Sequence, residues 1–366
     1  MAVDVATRPV QAILEQLLEG SRLCDEDAGA LLRSRDLIAV GRAADEMRSR
    51  KSDPDEVTFI VDRNINYTNV CVTDCDFCAF YRRPGDTREG YVLPVPVIHK
   101  KIEETLALGG TAVLMQGGHH PDLGIEWYED LFSGIKQRYE IHLHALSPPE
   151  IQHISRRSKL TTAETLSRLR DSGLDSLPGG GGEVLVDRVR KIIAPKKTKT
   201  AEWLGVMREA HRIGMSTTAT MMYGHVETLE ERVEHMRRIR DLQDEMHGFR
   251  AFISWTFQPD NTRLGRQVKE TPTSFDYLLT QAVSRLYLDN VDHIQSSWVT
   301  QGLKIGQVAL HFGADDLGSI MIEENVVSAA GTTYCADVDD FCRLIRAAGK
   351  RPVQRDTLYR RVRAYD

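Results

Sequence analysis

No run among the 366 residues approaches eighteen consecutive apolar side chains, so no membrane-spanning helix is expected. Neither charge sign dominates: 47 Lys+Arg stand against 53 Asp+Glu, a formal net charge of −6. That mild acidity speaks against a nucleic-acid coat or a polybasic membrane anchor. Internal repeats and low-complexity tracts are missing as well. Cysteine is scarce, six residues in all, too few for a disulfide framework in a chain this long. The opening, Met1 to Gln16, lacks the basic-then-apolar order of a secretory signal. A cytoplasmic chain with reduced thiols is therefore expected, its cysteines available for metal or redox chemistry. What remains is ordinary globular composition, 41% hydrophobic and 27% charged, which excludes wholesale disorder.

The first fifty or so residues read as helical. Val10, Ile13, Leu14, Leu17 and Leu18 recur at helical spacing, and Asp25 is placed to cap a second helix carrying Leu31, Leu32, Leu37, Ile38 and Val40. From Val57 the pattern turns to β-type residues, and strand-like and helix-like segments then alternate. Strands are predicted at Ile65–Thr68, Thr111–Gln116, Ile141–Ala145, Ser216–Met222, Phe252–Phe257 and His293–Ser297, with a weak one near Leu174–Leu177. Most of the helical patterns between them run into a glycine, the usual left-handed stop. Repeated β-then-α units imply parallel strands with helices outside. So many units favour an α/β fold of the (β/α)8-type, a TIM-like barrel, over a doubly wound open sheet. Such a barrel takes about 250 residues. We therefore expect a helical N-terminal extension (1–55), the barrel (56–335), and a C-terminal helix and tail (336–366).

Cys71, Cys75 and Cys78 form a C-x3-C-x2-C loop directly after the first predicted strand, at the mouth where barrels of this kind place chemistry. Thiolates on one short loop wrap a soft metal site. Zinc completed by a distant histidine is one reading. A 4Fe–4S cluster held by three cysteines, with one iron left open, is the other, and Phe77, Phe80 and Tyr81 are placed to shield it. The motif resembles that of the radical S-adenosylmethionine family. The resemblance implies one 4Fe–4S cluster on Cys71, Cys75 and Cys78, with S-adenosylmethionine chelated at the open iron and split by one electron to a 5′-deoxyadenosyl radical. A low-potential donor such as a flavodoxin or ferredoxin is implied too. Asp74 and Asp76 depart from the basic or neutral residues expected between such cysteines. They are either solvated loop charges or a device that lowers the potential of the cluster.

The same resemblance assigns further positions. Gln116, Gly117 and Gly118 look like the glycine turn that receives the amino group of S-adenosylmethionine, and Tyr223, His225 and Glu227 like the segment beside its adenine. Four glycines, Gly179 to Gly182, are too flexible for a packed element and suggest a close approach to something bulky. Glu183 and Arg188 beyond them are candidates for cofactor contacts. His142 and His144 share one face of a strand.

Three stretches narrow the match: Asn64 to Cys71, Phe257 to Thr262, and His311 to Val327. They resemble a small group of radical enzymes that join aromatic and ribose-like partners in menaquinone and deazaflavin-cofactor biosynthesis. The cyclising branch fits best, with dehypoxanthine futalosine as its small-molecule substrate. It implies hydrogen abstraction at the ribose C4′, attack of that carbon on the benzoate ring, and loss of an electron and a proton. Asp289, Glu323 and His144 are the candidates for proton handling. His142, Glu150, Arg82, Arg263 and Asp316 are the candidates for holding substrate, the arginines through the planar fork a carboxylate prefers. The alternatives are the sister synthase that adds the deoxyadenosyl radical to an enolpyruvyl benzoate, a deazaflavin-cofactor radical synthase, and a metal-stabilised binding protein without turnover.

Overall fold

The computed structural model describes residues 8–332 and 334–366; the first seven residues of the expected N-terminal extension lie outside them. Eleven strands form one sheet: β1 Glu56–Ile60, β2 Asp62–Ile65, β3 Ala112–Met115, β4 His142–Ala145, β5 Ser176–Leu177, β6 Ser216–Tyr223, β7 Phe249–Thr256, β8 His293–Gln295, β9 Asp316–Ser319, β10 Arg351–Arg355 and β11 Arg361–Ala364. Their order is β11-β10-β1-β9-β8-β7-β6-β5-β4-β3-β2, parallel throughout except for the antiparallel β10–β11 pair. The sheet curls into a TIM-like barrel. Its first wall strand is β1 and β2 together, interrupted at Val61. The carbonyl of Ile60 accepts from the Ile320 N–H (3.1 Å) beside β9, and that of Val61 from the Thr111 N–H (3.2 Å) beside β3. Consecutive carbonyls point to opposite edges, so this strand stands between the last wall strand and the second.

The alternation predicted from the sequence produces the wall because each strand has one face toward the helices and one toward the axis. In β6, Ala219, Met221 and Tyr223 are buried against helices, while Thr218 and Thr220 line the interior. Helices enter through capping boxes at Thr161, Thr228 and Thr273. The turns back into the sheet use glycine where φ is positive, at Gly109 (78°) and Gly214 (78°). One continuous apolar core joins the helices to the sheet.

Three helices, Val10–Leu18, Asp25–Leu32 and Leu37–Lys51, precede the barrel. The last packs along the barrel helix Ser274–Tyr287, with Arg48 wholly buried and bonded to Asp45 (2.8 Å) and to the carbonyl of Pro54 (3.2 Å). The first strand starts at Glu56, nine residues before the sequence pattern placed it. Asp62, Arg63 and Asn64 hide the apolar run, since two of the three face the interior rather than solvent. After the helix Val338–Ala347, the residues expected as a tail form β10 and β11. β10 pairs with β1 (Thr58 opposite Val353), and its Arg355 enters the barrel from below.

Candidate active site

The cysteine loop follows β2 at the C-terminal mouth of the barrel. Backbone bonds fix its course: Cys71 N–H to the Arg82 carbonyl (2.8 Å), Val72 N–H to His119 (3.1 Å) and Asp76 N–H to Ile193 (2.9 Å). All three thiols are free. The Thr73 hydroxyl stands 2.9 Å from Cys71 Sγ and 3.6 Å from Cys75 Sγ. Among the described residues no three His, Cys, Asp or Glu side chains gather tightly enough to hold one metal ion. An apolar shell of Val184, Val189, Ile193, Met222, Phe257 and Leu264 surrounds Cys75, with Phe77 and Cys78 against it. Burial pushes the Cys75 thiol up to about 12 and raises that of Cys78.

Lys197, which the sequence reading passed over, supplies positive charge here. Its Nζ lies 2.9 Å from Glu183 Oε1 and 5.1 Å from the centre of the Phe77 ring. Burial works against the ammonium charge, but Glu183 and the Cys75 sulfur keep its pKa above the ordinary lysine range. The only sequence signal was a basic pair, Lys196-Lys197, after a proline at the mouth. Glu183 thus forms an ion pair, with Arg190 3.7 Å away on its other side.

Asp74 and Asp76 are partly exposed but not uncompensated. Arg263 reaches Asp74 Oδ1 at 2.7 Å and Asp76 Oδ1 at 2.6 Å; Tyr81, Arg83 and Lys196 also face Asp74. The hydrogen bond from Tyr81 and the charge of Arg263 hold the Asp74 carboxyl below its usual range. This corrects two expectations. The Arg263 fork is committed to Asp74 and Asp76 rather than open for a substrate carboxylate, and the acidic pair is largely neutralised within the cysteine loop.

The glycine turns serve close approach between parts of the chain. A Cβ on Gly117 would stand 2.6 Å from the Tyr67 ring, and one on Gly118 2.2 Å from the Val70 carbonyl, so the turn after β3 lies directly on the cysteine strand. Glu150 ties it there: its carboxylate accepts from Gly117 N–H (2.9 Å), Tyr67 Oη (2.6 Å) and Ser147 Oγ (2.5 Å). Burial raises that carboxyl to about 7. Glu150 therefore holds the turn and is not among the cavity lining. The glycine run is packed and not flexible. Side chains on Gly179 or Gly182 would strike the β6 backbone, and Arg190 grips the carbonyls of Gly181 (3.0 Å) and Gly182 (2.7 Å). Gly179, Gly180 and Gly181 also line the cavity.

Several other expectations are redirected. Tyr223 faces the helices with its ring under Arg232, 4.4 Å from the centre, because its place in the β6 alternation points it outward. Glu227 folds back onto the N–H groups of Gly224 (2.7 Å) and His225 (3.0 Å) and onto Arg232 (2.9 Å). His225, closed off beside it, sits edge-on to Phe257, so these two shape the loop. Arg188 is bonded to Glu231 on the surface (2.6 Å), and Arg82 to Glu89 (2.5 Å). Asp289 precedes β8 and so lies at the opposite end of the barrel, bonded to Arg22 (2.9 Å). Glu323 is taken by Lys101 (2.5 Å), and Asp316 by Arg355 through two 2.8 Å bonds and by Thr58 (2.6 Å).

Inside the barrel a cavity of about 320 Å³ runs from the mouth toward the C-terminal strands. Neutral polar side chains such as Asn64, Gln116, Thr218, Thr220 and Gln295 alternate there with Leu114, Trp255, Met321 and Val327. His144 lines it, its Nδ1 2.6 Å from Ser176 Oγ, which also meets His142 Nε2 at 2.7 Å. The two histidines share a face as expected but open into different spaces: His142 lines a cleft at the barrel's other end, with Lys136 and Arg360. Burial lowers the pKa of His144 to about 3, so it is a neutral ring. Val299 and Thr300 from the short helix Trp298–Gln301, and Ser297 at its N-cap, line the cavity without any signal in the sequence pattern.

Residues 65–239 match the model for the radical SAM superfamily, and residues 246–365 match that for the CofH/MqnC C-terminal region. The cyclic dehypoxanthine futalosine synthase of Streptomyces coelicolor is 47% identical over 98% of this chain and 90% of its own. The chain belongs to the radical SAM superfamily. Members of this superfamily use a 4Fe–4S cluster and S-adenosylmethionine. The 5-amino-6-(D-ribitylamino)uracil–L-tyrosine 4-hydroxyphenyl transferase 1 of Methanosarcina acetivorans is 43% identical, covering 96% of this chain and 93% of its own. Among solved structures, methylornithine synthase shares the fold with a TM-score of 0.71 at 19% identity, covering 93% of this chain and 97% of the other. No helix of the described residues is long and apolar enough to cross a membrane.

Proposed function

We propose that the protein cyclises dehypoxanthine futalosine in menaquinone biosynthesis, in the cytoplasm, with a flavodoxin or ferredoxin as electron donor. One juxtaposition carries this reading: the cysteine loop in its apolar shell shares the barrel mouth with a cavity of mixed hydroxyl, amide and apolar lining, and Lys197 beside Phe77 reaches Glu183 on that lining. Three cysteines on one short loop suit a 4Fe–4S cluster, which Cys71, Cys75 and Cys78 would hold. The cluster and S-adenosylmethionine, when bound, supply a 5′-deoxyadenosyl radical. The protein's own part is positioning. The neutral polar groups suit ribose hydroxyls, and Trp255, Val299 and Val327 suit an aromatic ring, so that C4′ and the ring are held at near-attack distance. The similarity to the Streptomyces cyclase over almost the whole chain supports the same substrate.

The test is anaerobic reconstitution followed by dithionite, S-adenosylmethionine and dehypoxanthine futalosine. We expect free 5′-deoxyadenosine and a product two hydrogens lighter than substrate. Adenosine found covalently joined to a product of an enolpyruvyl benzoate would assign the chain to the sister synthase instead.

A further inference from the structure

We propose that Asp62 is the proton acceptor of the cyclisation, an inference that rests on the function proposed above. Three carboxylates line the cavity: Asp62, Glu183 and Glu324. Glu183 is paired with Lys197 (2.9 Å). Glu324 is spent on the N–H groups of Val326, Val327 and Ser328, each at 2.7 to 2.8 Å. Asp62 differs. Its Oδ1 accepts from the Ser319 hydroxyl, and its Oδ2 has no hydrogen-bond partner among the described residues. It stands on the wall strand in phase with Ile60 and Asn64, which also line the cavity. The charged groups that face it are Arg355 from β10 and Asp316 from β9, and these two are bound to each other.

The geometry thus leaves one carboxylate oxygen without a hydrogen-bond partner on the cavity wall. Burial there raises the Asp62 carboxyl to about 6, which makes its ionised form a stronger base than an ordinary aspartate while leaving it ionised near neutrality. His144, also on the lining, is a far weaker base because burial suppresses its cation.

The ring carbon that accepts the new bond from C4′ still carries its hydrogen. Re-aromatisation breaks that C–H bond and returns its electron pair to the ring. The proton passes to Asp62 Oδ2, and the unpaired electron leaves to a one-electron acceptor of the iron–sulfur class. Asp62→Asn keeps the size and the acceptor for Ser319 but removes the base. We expect normal iron and sulfide content and continued formation of 5′-deoxyadenosine, with the ratio of cyclised product to 5′-deoxyadenosine at least tenfold lower. In the unaltered protein that ratio should fall as pH drops below about 6; in the variant it should be flat, and Asp62→Glu should recover part of it. An unchanged ratio and pH profile in Asp62→Asn would overturn the assignment alone. Absence of cyclised product from the unaltered protein would overturn the functional reading and this assignment with it.

Discussion

The mouth and the floor of the barrel are built on opposite plans. At the mouth, short loops carry their own chemistry: three cysteines within eight residues, two glycines in one turn, four in another. At the floor, Asp62, Ser319, Asp316 and Arg355 come from two wall strands, β2 and β9, and the C-terminal strand β10, 39 positions separating even the paired Asp316 and Arg355. The mouth is therefore replaceable piece by piece, whereas the floor exists only when the ends of the chain have met. Changes to the cysteine loop at the mouth should strike chemistry first, and changes to the Asp316–Arg355 pair at the floor should strike stability.

The largest expected effect is at the mouth. Cys75→Ser should abolish both cluster and product while leaving the far-ultraviolet spectrum and thermal transition of the apoprotein near those of the unaltered chain. Retained turnover would sink the site assignment. At the floor, Arg355→Met leaves Asp316 buried without its cation. Breaking a buried pair in this way costs roughly 3–5 kcal/mol, readable in a urea titration of the apoprotein; a loss under about 1 kcal/mol would erase the contrast between the two ends.

Glu150 sharpens the comparison, since it is a mouth residue whose work is structural. Burial raises its carboxyl from 4.5 to about 7, so the protonated form is favoured on folding. That contribution is complete below about pH 4.5 and is lost as pH rises through about 7. Glu150→Gln should therefore gain on the unaltered protein across this window, by up to roughly 3 kcal/mol. Parallel stability–pH curves for the two proteins would show that the carboxyl does not titrate on unfolding. The smallest effect concerns the cluster's surroundings. Arg263→Ala releases two carboxylate charges beside the loop. A charge at ~10 Å with an effective dielectric of ~20 is worth about 1.7 kcal/mol, or roughly 70 mV for one electron, and solvent and salt reduce it further. A negative shift of a few tens of millivolts in the reconstituted protein is expected, and no shift would show that the ion pairs are irrelevant to the cluster.

Much of this was legible in the residues. The β-then-α alternation foretold the barrel because each strand buries both faces while each helix buries one, and those two periods differ. The cysteine spacing marked out one thiol loop because Cys71 to Cys78 lie within eight residues. The assigned carboxylates and arginines fared otherwise: Asp289, Glu323, Arg82 and Arg263 are all ion-paired away from the cavity, and Tyr223 faces the core. A charged residue in a sequence says nothing of which opposite charge will find it. Asp62 went unnoticed for a related reason, since a polar residue inside an apolar strand resembles a strand's boundary until its inward face is known to open on a cavity.

By itself, then, the sequence determined what depends on neighbours along the chain: the helix and strand periods, the glycine stops, and a thiol loop at the end of a strand. Only the tertiary structure decided what depends on distant partners. Whether a carboxylate is paired or free is set by side chains hundreds of residues away. The C-terminal residues become strands because the exposed edge of β1 offers them hydrogen bonds that no local pattern records.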